Sequence, residues 1–244
     1  MAVAQRNLIA LFRVPTTLVF STIQPVIFVL MFRYVFGGSI QITGFRYVDY
    51  LMAGIFVQTV TFGSINTGIG LADDLSKGLI ERFRSLAMAR SAVLAGRTLA
   101  DAVRNLIVIV LMVTVGFMVG FQVHTGALAL FAAVALMLLF GFAMSWIMAL
   151  IGLSTGNAEA AQAAAFPLMA VLVFASNAFV QTRRMPRPLR AYADHQPVTA
   201  TVNAVRALLN GGPTTGKVLA AGAWSLAVVA VFAPLSVRRY RRAA

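Results

Sequence analysis

Residues 125–158 read TGALALFAAVALMLLFGFAMSWIMALIGLSTGNA, without one charged side chain. A bilayer core about 30 Å thick is crossed by about 20 apolar helical residues. The stretch is therefore too long for one crossing, and Gly152, Ser154, Thr155, Gly156 and Asn157 are expected to form its polar exit. Working outward, similar apolar runs recur. Span one is expected over Val14 to Phe32, span two over Tyr50 to Ala72, span three over Thr98 to Phe121, span five over Ala160 to Val180 and span six over Val218 to Val237. The fold class that follows is an all-α integral membrane protein, a single domain over residues 1–244 with six transmembrane helices.

Composition leads to the same place. Hydrophobic residues make up 60% of the chain and charged residues 11%, with a mean hydropathy of +0.86. A soluble domain carries about 25% charge, so lipid is the expected solvent. The net charge of +13 points to anionic headgroups rather than nucleic acid, because the cations lie between apolar runs and no aromatic-interleaved basic face is present. With no cysteine there is no disulfide, thiolate metal site or Cys nucleophile. The first residues are not expected to act as a secretory signal, since Arg13 interrupts an apolar run of only Leu8 to Phe12.

Ala4, Leu8, Leu11 and Phe12 share one helical face, which predicts an interfacial helix over residues 1–13 or an extension of span one. Between spans two and three, Asp73 to Arg97 is polar, yet Leu75, Leu79, Phe83 and Leu86 recur at helical spacing. Such a helix rests on a membrane or a partner. Between spans five and six, residues 181–216 carry Pro186 and Pro188, then Val198, Val202, Val205 and Leu209 as a stripe begun by Pro197. That stripe predicts an amphipathic helix dipping back toward the bilayer; a solvated loop helix is the competing reading. An even number of spans puts both termini on one side. The positive-inside rule favours the side holding Arg6, Arg13, the 73–97 segment and the four C-terminal arginines.

Catalytic signatures are weak. Gly211, Gly216 and Lys217 match GxxxxGK, but Val218 stands where a P-loop needs Ser or Thr, and a span follows instead of a strand–loop–helix unit. His124 and His195 lie in separate loops without a carboxylate or second His at ligand spacing, and read as ordinary loop residues. Ser145 and Ser154 have no base one or two turns away. Polar residues inside spans are more informative, because burying them in hydrocarbon serves packing or transport. Gln24, Gln58, Ser64, Asn66 and Asn177 qualify. No charge lies clearly in mid-span; Asp101 and Arg104, one turn apart at the start of span three, are expected to pair locally. An ion-coupled transporter would show such a charge, so energy is expected from elsewhere and the cargo is expected to be lipophilic. Gly116/Gly120 and Gly152/Gly156 are isolated GxxxG matches that predict close helix packing.

Several stretches, in order, resemble the type-2 ABC exporter permeases and, among them, the daunorubicin/doxorubicin resistance permease group. These are Gln24-Pro25, Asp49-Tyr50-Leu51-Met52-Ala53-Gly54, the loop from Gly78 to Leu86 continuing through Arg90 to Gly96-Arg97, Ser176 to Val180, Met185-Pro186, Gln196 to Thr199 and Ala204 to Leu208. Ala53, Ala87 and Gln181 stand where that family usually has proline, which puts the local kinks in question. The resemblance implies an ATP-driven exporter of a drug or lipid across the bacterial cytoplasmic membrane, multi-pass, with both termini cytoplasmic. It implies that this permease pairs with a second permease, as homo- or heterodimer, and with separate ATPase subunits. Those subunits would carry the ATP and magnesium, leaving this chain with no cofactor and no enzymatic activity. A cytoplasmic coupling helix within residues 73–97 would meet the ATPase, through Lys77, Gly78, Glu81, Arg82, Arg84 and Leu86. The cargo path, at the permease dimer interface along spans one, two and five, would use Phe28, Phe56, Gln58, Phe62, Asn66, Phe174 and Asn177. Residues 181–216 would form extracytoplasmic re-entrant helices. The rival reading is a noncatalytic membrane assembly or anchoring protein.

Overall fold

The computed structural model describes residues 15–35, 46–77 and 90–243. The expected interfacial helix over residues 1–13, and Gly78, Glu81, Arg82, Arg84, Leu86 and Ala87, lie outside the described residues. Every regular element described is helical. Helix α1 spans Pro15–Leu30 and runs into a π-helical turn, Met31–Val35. Then follow α2 (Tyr47–Gly63), α3 (Ile65–Ser76), α4 (Arg90–Met118), α5 (Ala127–Thr155) and α6 (Ala158–Phe174). A 3-10 turn, Thr182–Arg184, leads to α7 (Arg187–Asp194), α8 (Pro197–Asn210) and α9 (Thr215–Ala243). Among the described residues, four helical stretches are long and apolar enough to cross a membrane: Tyr47–Ser76, Asp101–Met118, Ala127–Thr155 and Thr215–Arg241. Ile23–Val35 and Ala158–Phe174 are shorter apolar helices.

Several expected boundaries move. The uncharged stretch forms one unbroken 29-residue helix, α5, and residues 152–155, expected as a polar exit, are its last turn. At 1.5 Å per residue it is about 44 Å long, more than the hydrocarbon layer, so it tilts or emerges. It stops at Gly156, whose φ of 77° is the left-handed cap that glycine adopts without strain. Span five ends at Phe174 rather than Val180, because the Ser176 hydroxyl turns back to the Val173 carbonyl at 2.5 Å and accepts from the Ala178 amide at 3.1 Å. The polar 73–97 segment is shared by its neighbours: Asp73 to Ser76 finish α3, and Arg90 onward begins α4.

Close approach of helices is set by glycine. A Cβ on Gly68 would lie 2.5 Å from the Met148 carbonyl oxygen, and one on Gly152 would lie 2.1 Å from that of Gly68. Helices α3 and α5 therefore cross backbone to backbone. The partner residues Gly120 and Gly156 of the two GxxxG matches make no such contact; both have positive φ and end helices. Helix α8 is packed against α2, α5 and α9. Its stripe of Val198, Val202, Val205 and Leu209 is fully buried, which rules out a solvated loop helix. Ala53 lies inside unbroken α2, while Gln181, at φ −63° and ψ 130°, holds a conformation that proline would also adopt.

Candidate functional site

The break between α2 and α3 is where polar chemistry enters the bundle. The Ser64 hydroxyl bonds the Thr61 carbonyl at 2.6 Å, and the Thr67 amide turns to the Ser64 carbonyl at 3.0 Å. The Gly63 carbonyl is instead met by the Arg104 guanidinium, whose Nη2 donates at 2.6 Å, and by Asn66 Nδ2 at 3.3 Å. Arg104 also pairs with Asp101 at 3.2 Å, and Thr67 donates its hydroxyl to the same carboxylate. The local pairing expected from sequence is thus present. Its position is not the expected one: Gly63 is halfway along Tyr47–Ser76, so a buried cation reaches mid-span. Helix α4 crosses α2 deep enough that the start of one apolar run meets the middle of another.

Beside this break lies a cavity of about 90 Å³. Its walls are Gln24 and Pro25 from α1, Gln58 and Phe62 from α2, Asn66 from α3 and Arg104 from α4. Asn105, also lining it, fits because Gly63 and Gly141 leave room on either side: a Cβ at those positions would lie 2.9 Å from its Oδ1 and 3.1 Å from its Nδ2. Gln58 is 3% exposed, and its Oε1 has no hydrogen-bond partner. A buried unsatisfied amide oxygen costs about 1–3 kcal/mol.

An aromatic group occupies a second region. Phe179 stacks on Phe32 at 4.8 Å with rings 7° apart, and also faces Phe174 at 5.6 Å and Phe28 at 6.3 Å. Its members come from α1, its π-helical turn, α6 and the turn after α6, and Phe174 is about half exposed. Rings at these separations pack favourably against one another and tie the end of α1 to the end of α6.

At the Arg46 end of α2 the bundle is closed by a polar clasp. Asp49, 2% exposed, accepts from Arg46 Nε at 2.9 Å and from the Gln122 amide at 3.1 Å, and faces His124 Nε2 at 3.3 Å. Asn210 donates to the Asp49 carbonyl at 3.1 Å. His124, read from spacing as an ordinary loop residue, is thus brought to a carboxylate 75 positions away by the fold. Nearby, the buried Arg206 guanidinium sits 3.6 Å above the Tyr50 ring and donates to the Tyr50 and Asn177 carbonyls, both at 3.2 Å. The Tyr50 hydroxyl donates to the Asn177 carbonyl at 3.0 Å, and a Cβ on Gly54 would lie 2.0 Å from the Ala178 carbonyl oxygen. Sequence stretches far apart, Asp49 to Gly54, Ser176 to Val180 and Ala204 to Leu208, thereby meet at one place.

The expected path residues fall into these regions unequally. Gln58, Phe62 and Asn66 line the cavity. Phe28 and Phe174 belong to the aromatic group. Asn177 is in the clasp, its Nδ2 bonded to Asn203 Oδ1 at 2.6 Å. Phe56, 1% exposed, meets Phe121 edge-on at 5.7 Å and stands apart in the core. Of the expected coupling residues, Lys77 is described: it ends α3, largely exposed, and pairs with Asp73 at 2.7 Å. The sequence reading did not select Arg104, Asn105 or Phe179 for the path. The run Asp101–Arg104–Asn105 at the head of an apolar helix was the available signal for the first two. Among the described residues no group of three or more His, Cys, Asp or Glu could hold a metal.

Known proteins are similar to this sequence. The profile of the ABC-2 type transporter family matches residues 1–210. The daunorubicin resistance ABC transporter permease protein DrrB1 of Streptomyces coeruleorubidus is 34% identical over 97% of this chain and 83% of its own length. The probable doxorubicin resistance ABC transporter permease protein DrrC of Mycobacterium tuberculosis is 25% identical over 93% of this chain and 82% of its own. The doxorubicin resistance ABC transporter permease protein DrrB of the same organism is 28% identical over 51% of this chain and 43% of its own.

Proposed function

Because the chain belongs to the ABC-2 type transporter family and is the multi-pass permease subunit of an exporter whose ATPase is a separate subunit, we propose that its cargo is a lipophilic drug or lipid, moved outward across a bacterial cytoplasmic membrane. In this reading α1 with its π-helical turn, α2–α3, α4, α5, α6 and α9 are the six spans, and both termini are cytoplasmic. The clasp and helices α7 and α8 then face the outside, with α7 and α8 as re-entrant elements. Two such permeases, alike or different, pair along α1, α2 and α6, and two ATPase subunits bearing ATP and magnesium receive the 73–97 segment. Closure of the ATPases pushes that segment, and spans two and five part to release cargo.

One observation carries the reading: the cavity and the aromatic group both use residues of α1, and between them they draw on α2 and α6, the helices assigned to the path. The relatives named for daunorubicin and doxorubicin resistance make a flat aromatic drug the first cargo to try. In vesicles holding this permease with its ATPase, daunorubicin should stimulate ATP hydrolysis and accumulate on the far side. If the ATPase co-purifies but daunorubicin neither stimulates it nor accumulates, the cargo is not a flat aromatic drug.

A further inference from the structure

Where α4 gives way to α5, on the Arg46 side of the bundle, the surface is hollowed by an open groove of about 460 Å³, within the range of about 300–1,000 Å³ that small-molecule sites occupy. Its apolar lining is Phe117 from α4, Phe121 just beyond that helix, and Leu130 from the first turn of α5. The Phe117 and Phe121 rings stack at 5.9 Å and make one continuous apolar wall. Their sequence neighbours Met118, Leu128 and Phe131 are 82%, 85% and 72% exposed. Both helices are long and apolar enough to cross a bilayer, and in a multi-pass permease such side chains meet hydrocarbon. The rest of the lining is polar. Gln122 and His124 are exposed, and beside them Arg46 donates to the Gly120 carbonyl while its side chain stays 52% exposed. Asp49, the carboxylate they share, is buried. The clasp thus keeps its anion inside and shows a guanidinium and an imidazole at the surface. Helix α5 also begins here, and no side chain caps its first turn, so its free N–H groups add to the positive rim.

A guest that matches both halves carries an apolar chain and, at one end, a charged group that accepts hydrogen bonds. A free fatty chain lacks the charge-dense phosphate, and a soluble anion lacks the chain. A phospholipid has both, and its phosphate diester accepts where a guanidinium and an amide N–H donate. We propose that this groove holds one phospholipid from the leaflet on the Arg46 side, with an acyl chain along Phe117, Phe121 and Leu130 and its phosphate at the rim formed by Arg46, Gln122 and His124. The apolar floor comes from α4 and α5 and their connection, not from the helices assigned to the path, so this lipid is a companion of the clasp rather than cargo. Because the Gln122 amide and His124 also hold Asp49, occupancy of the groove bears on the clasp itself. The site rests on the chain spanning a bilayer and is independent of what is exported. Losing one contact to the phosphate changes binding about five- to tenfold.

The chain has no cysteine, so Met118→Cys supplies a single thiol beside the groove for a bimane fluorophore. The labelled permease is assembled with its ATPase in vesicles of phosphate-free diglucosyl diacylglycerol. These are titrated with phosphatidylglycerol or with the same glycolipid, each carrying a nitroxide quencher at the same place on its chain. With the groove otherwise unaltered, half-maximal quenching should come at about five- to tenfold lower fraction of the phospholipid than of the glycolipid. Ala127→Phe, which fills the groove from an exposed lining position, should abolish that difference. Leu128→Phe, at the exposed neighbour outside the lining, should leave it unchanged. If Ala127→Phe fails to insert, His124→Leu, which removes the imidazole and keeps the apolar wall, should narrow the difference. Equal quenching by the two lipids, or a preference that neither Ala127→Phe nor His124→Leu alters, overturns the site and leaves ordinary boundary lipid there. A label that neither lipid quenches overturns it as well, by showing the groove covered by protein. No transport enters the measurement, so each of these failures leaves the exporter reading intact.

Discussion

Arg104 donates to the main-chain carbonyl of Gly63 at 2.6 Å, so a side chain of one apolar helix completes the backbone hydrogen bonding of another at the point where that helix breaks. The freed carbonyl of a broken helix needs such a partner away from water. Arg104→Met should therefore cost about 2–5 kcal/mol, because it leaves the Asp101 carboxylate without its cation and the Gly63 carbonyl with only the long bond from Asn66. Thermal denaturation of the detergent-solubilised protein measures it. Asp101→Asn combined with Arg104→Met should be less damaging than the two single losses added together, since the stranded charge is gone. Strict additivity would mean the pair is not coupled.

Arg206 should resist replacement by lysine. Its Cζ lies 3.6 Å over the Tyr50 ring while Nη2 serves two carbonyls, a combination that an ammonium cannot reproduce. Arg206→Lys is expected to lose about 1–3 kcal/mol, read as a lower melting temperature. An unchanged melting curve would show that the charge alone suffices.

Glycine contacts give a graded series. Gly54→Ala and Gly68→Ala would each press a methyl group against a neighbouring carbonyl, at 2.0 and 2.5 Å, where the obstacle is backbone and cannot rotate away. Each should lower stability by about 1–3 kcal/mol or more. Gly222→Ala in α9, with nothing within 4 Å, should be neutral or stabilising by up to about 1 kcal/mol. Comparable losses at all three positions would contradict the crossing geometry.

Coupling is tested outside the described residues. Glu81→Lys or Arg82→Glu should leave membrane insertion intact while separating ATP hydrolysis from transport. Normal transport by both variants would place the ATPase contact elsewhere.

What the sequence made legible was mostly one-dimensional. Apolar runs located the helices, and the buried face of α8 followed from Val198, Val202, Val205 and Leu209 because a stripe at helical spacing reports a covered side. Helix ends were less legible. Phe174 ends α6 because Ser176 turns back on its own helix, a local bond that hydropathy does not register. The site was legible in part. Gln58, Phe62 and Asn66 recur every four residues and do share a cavity wall. Arg104 was set aside as a residue near a membrane boundary, since only the crossing of α4 over α2 brings it beside Gly63. His124 was set aside for want of a nearby carboxylate, and Asp49 is its neighbour in space alone.

The two ends of the α2–α3 rod are held very differently. Near Arg46 it is riveted to the 120–124 loop and to Asn210, whereas beyond Ser64 it is held by the close crossing of Gly68 on α5, with Lys77 paired to Asp73 at its tip. A rod clamped on both sides of Ser64, at Arg46 and at Gly68, has its one irregular turn between two fixed points. We expect a push on the Lys77 arm to arrive at the break as rotation, with the Arg46 arm serving as the bearing. The cavity lined by Gln58, Phe62 and Asn66 would then sit at the elbow, where a small turn of the arm changes its shape most.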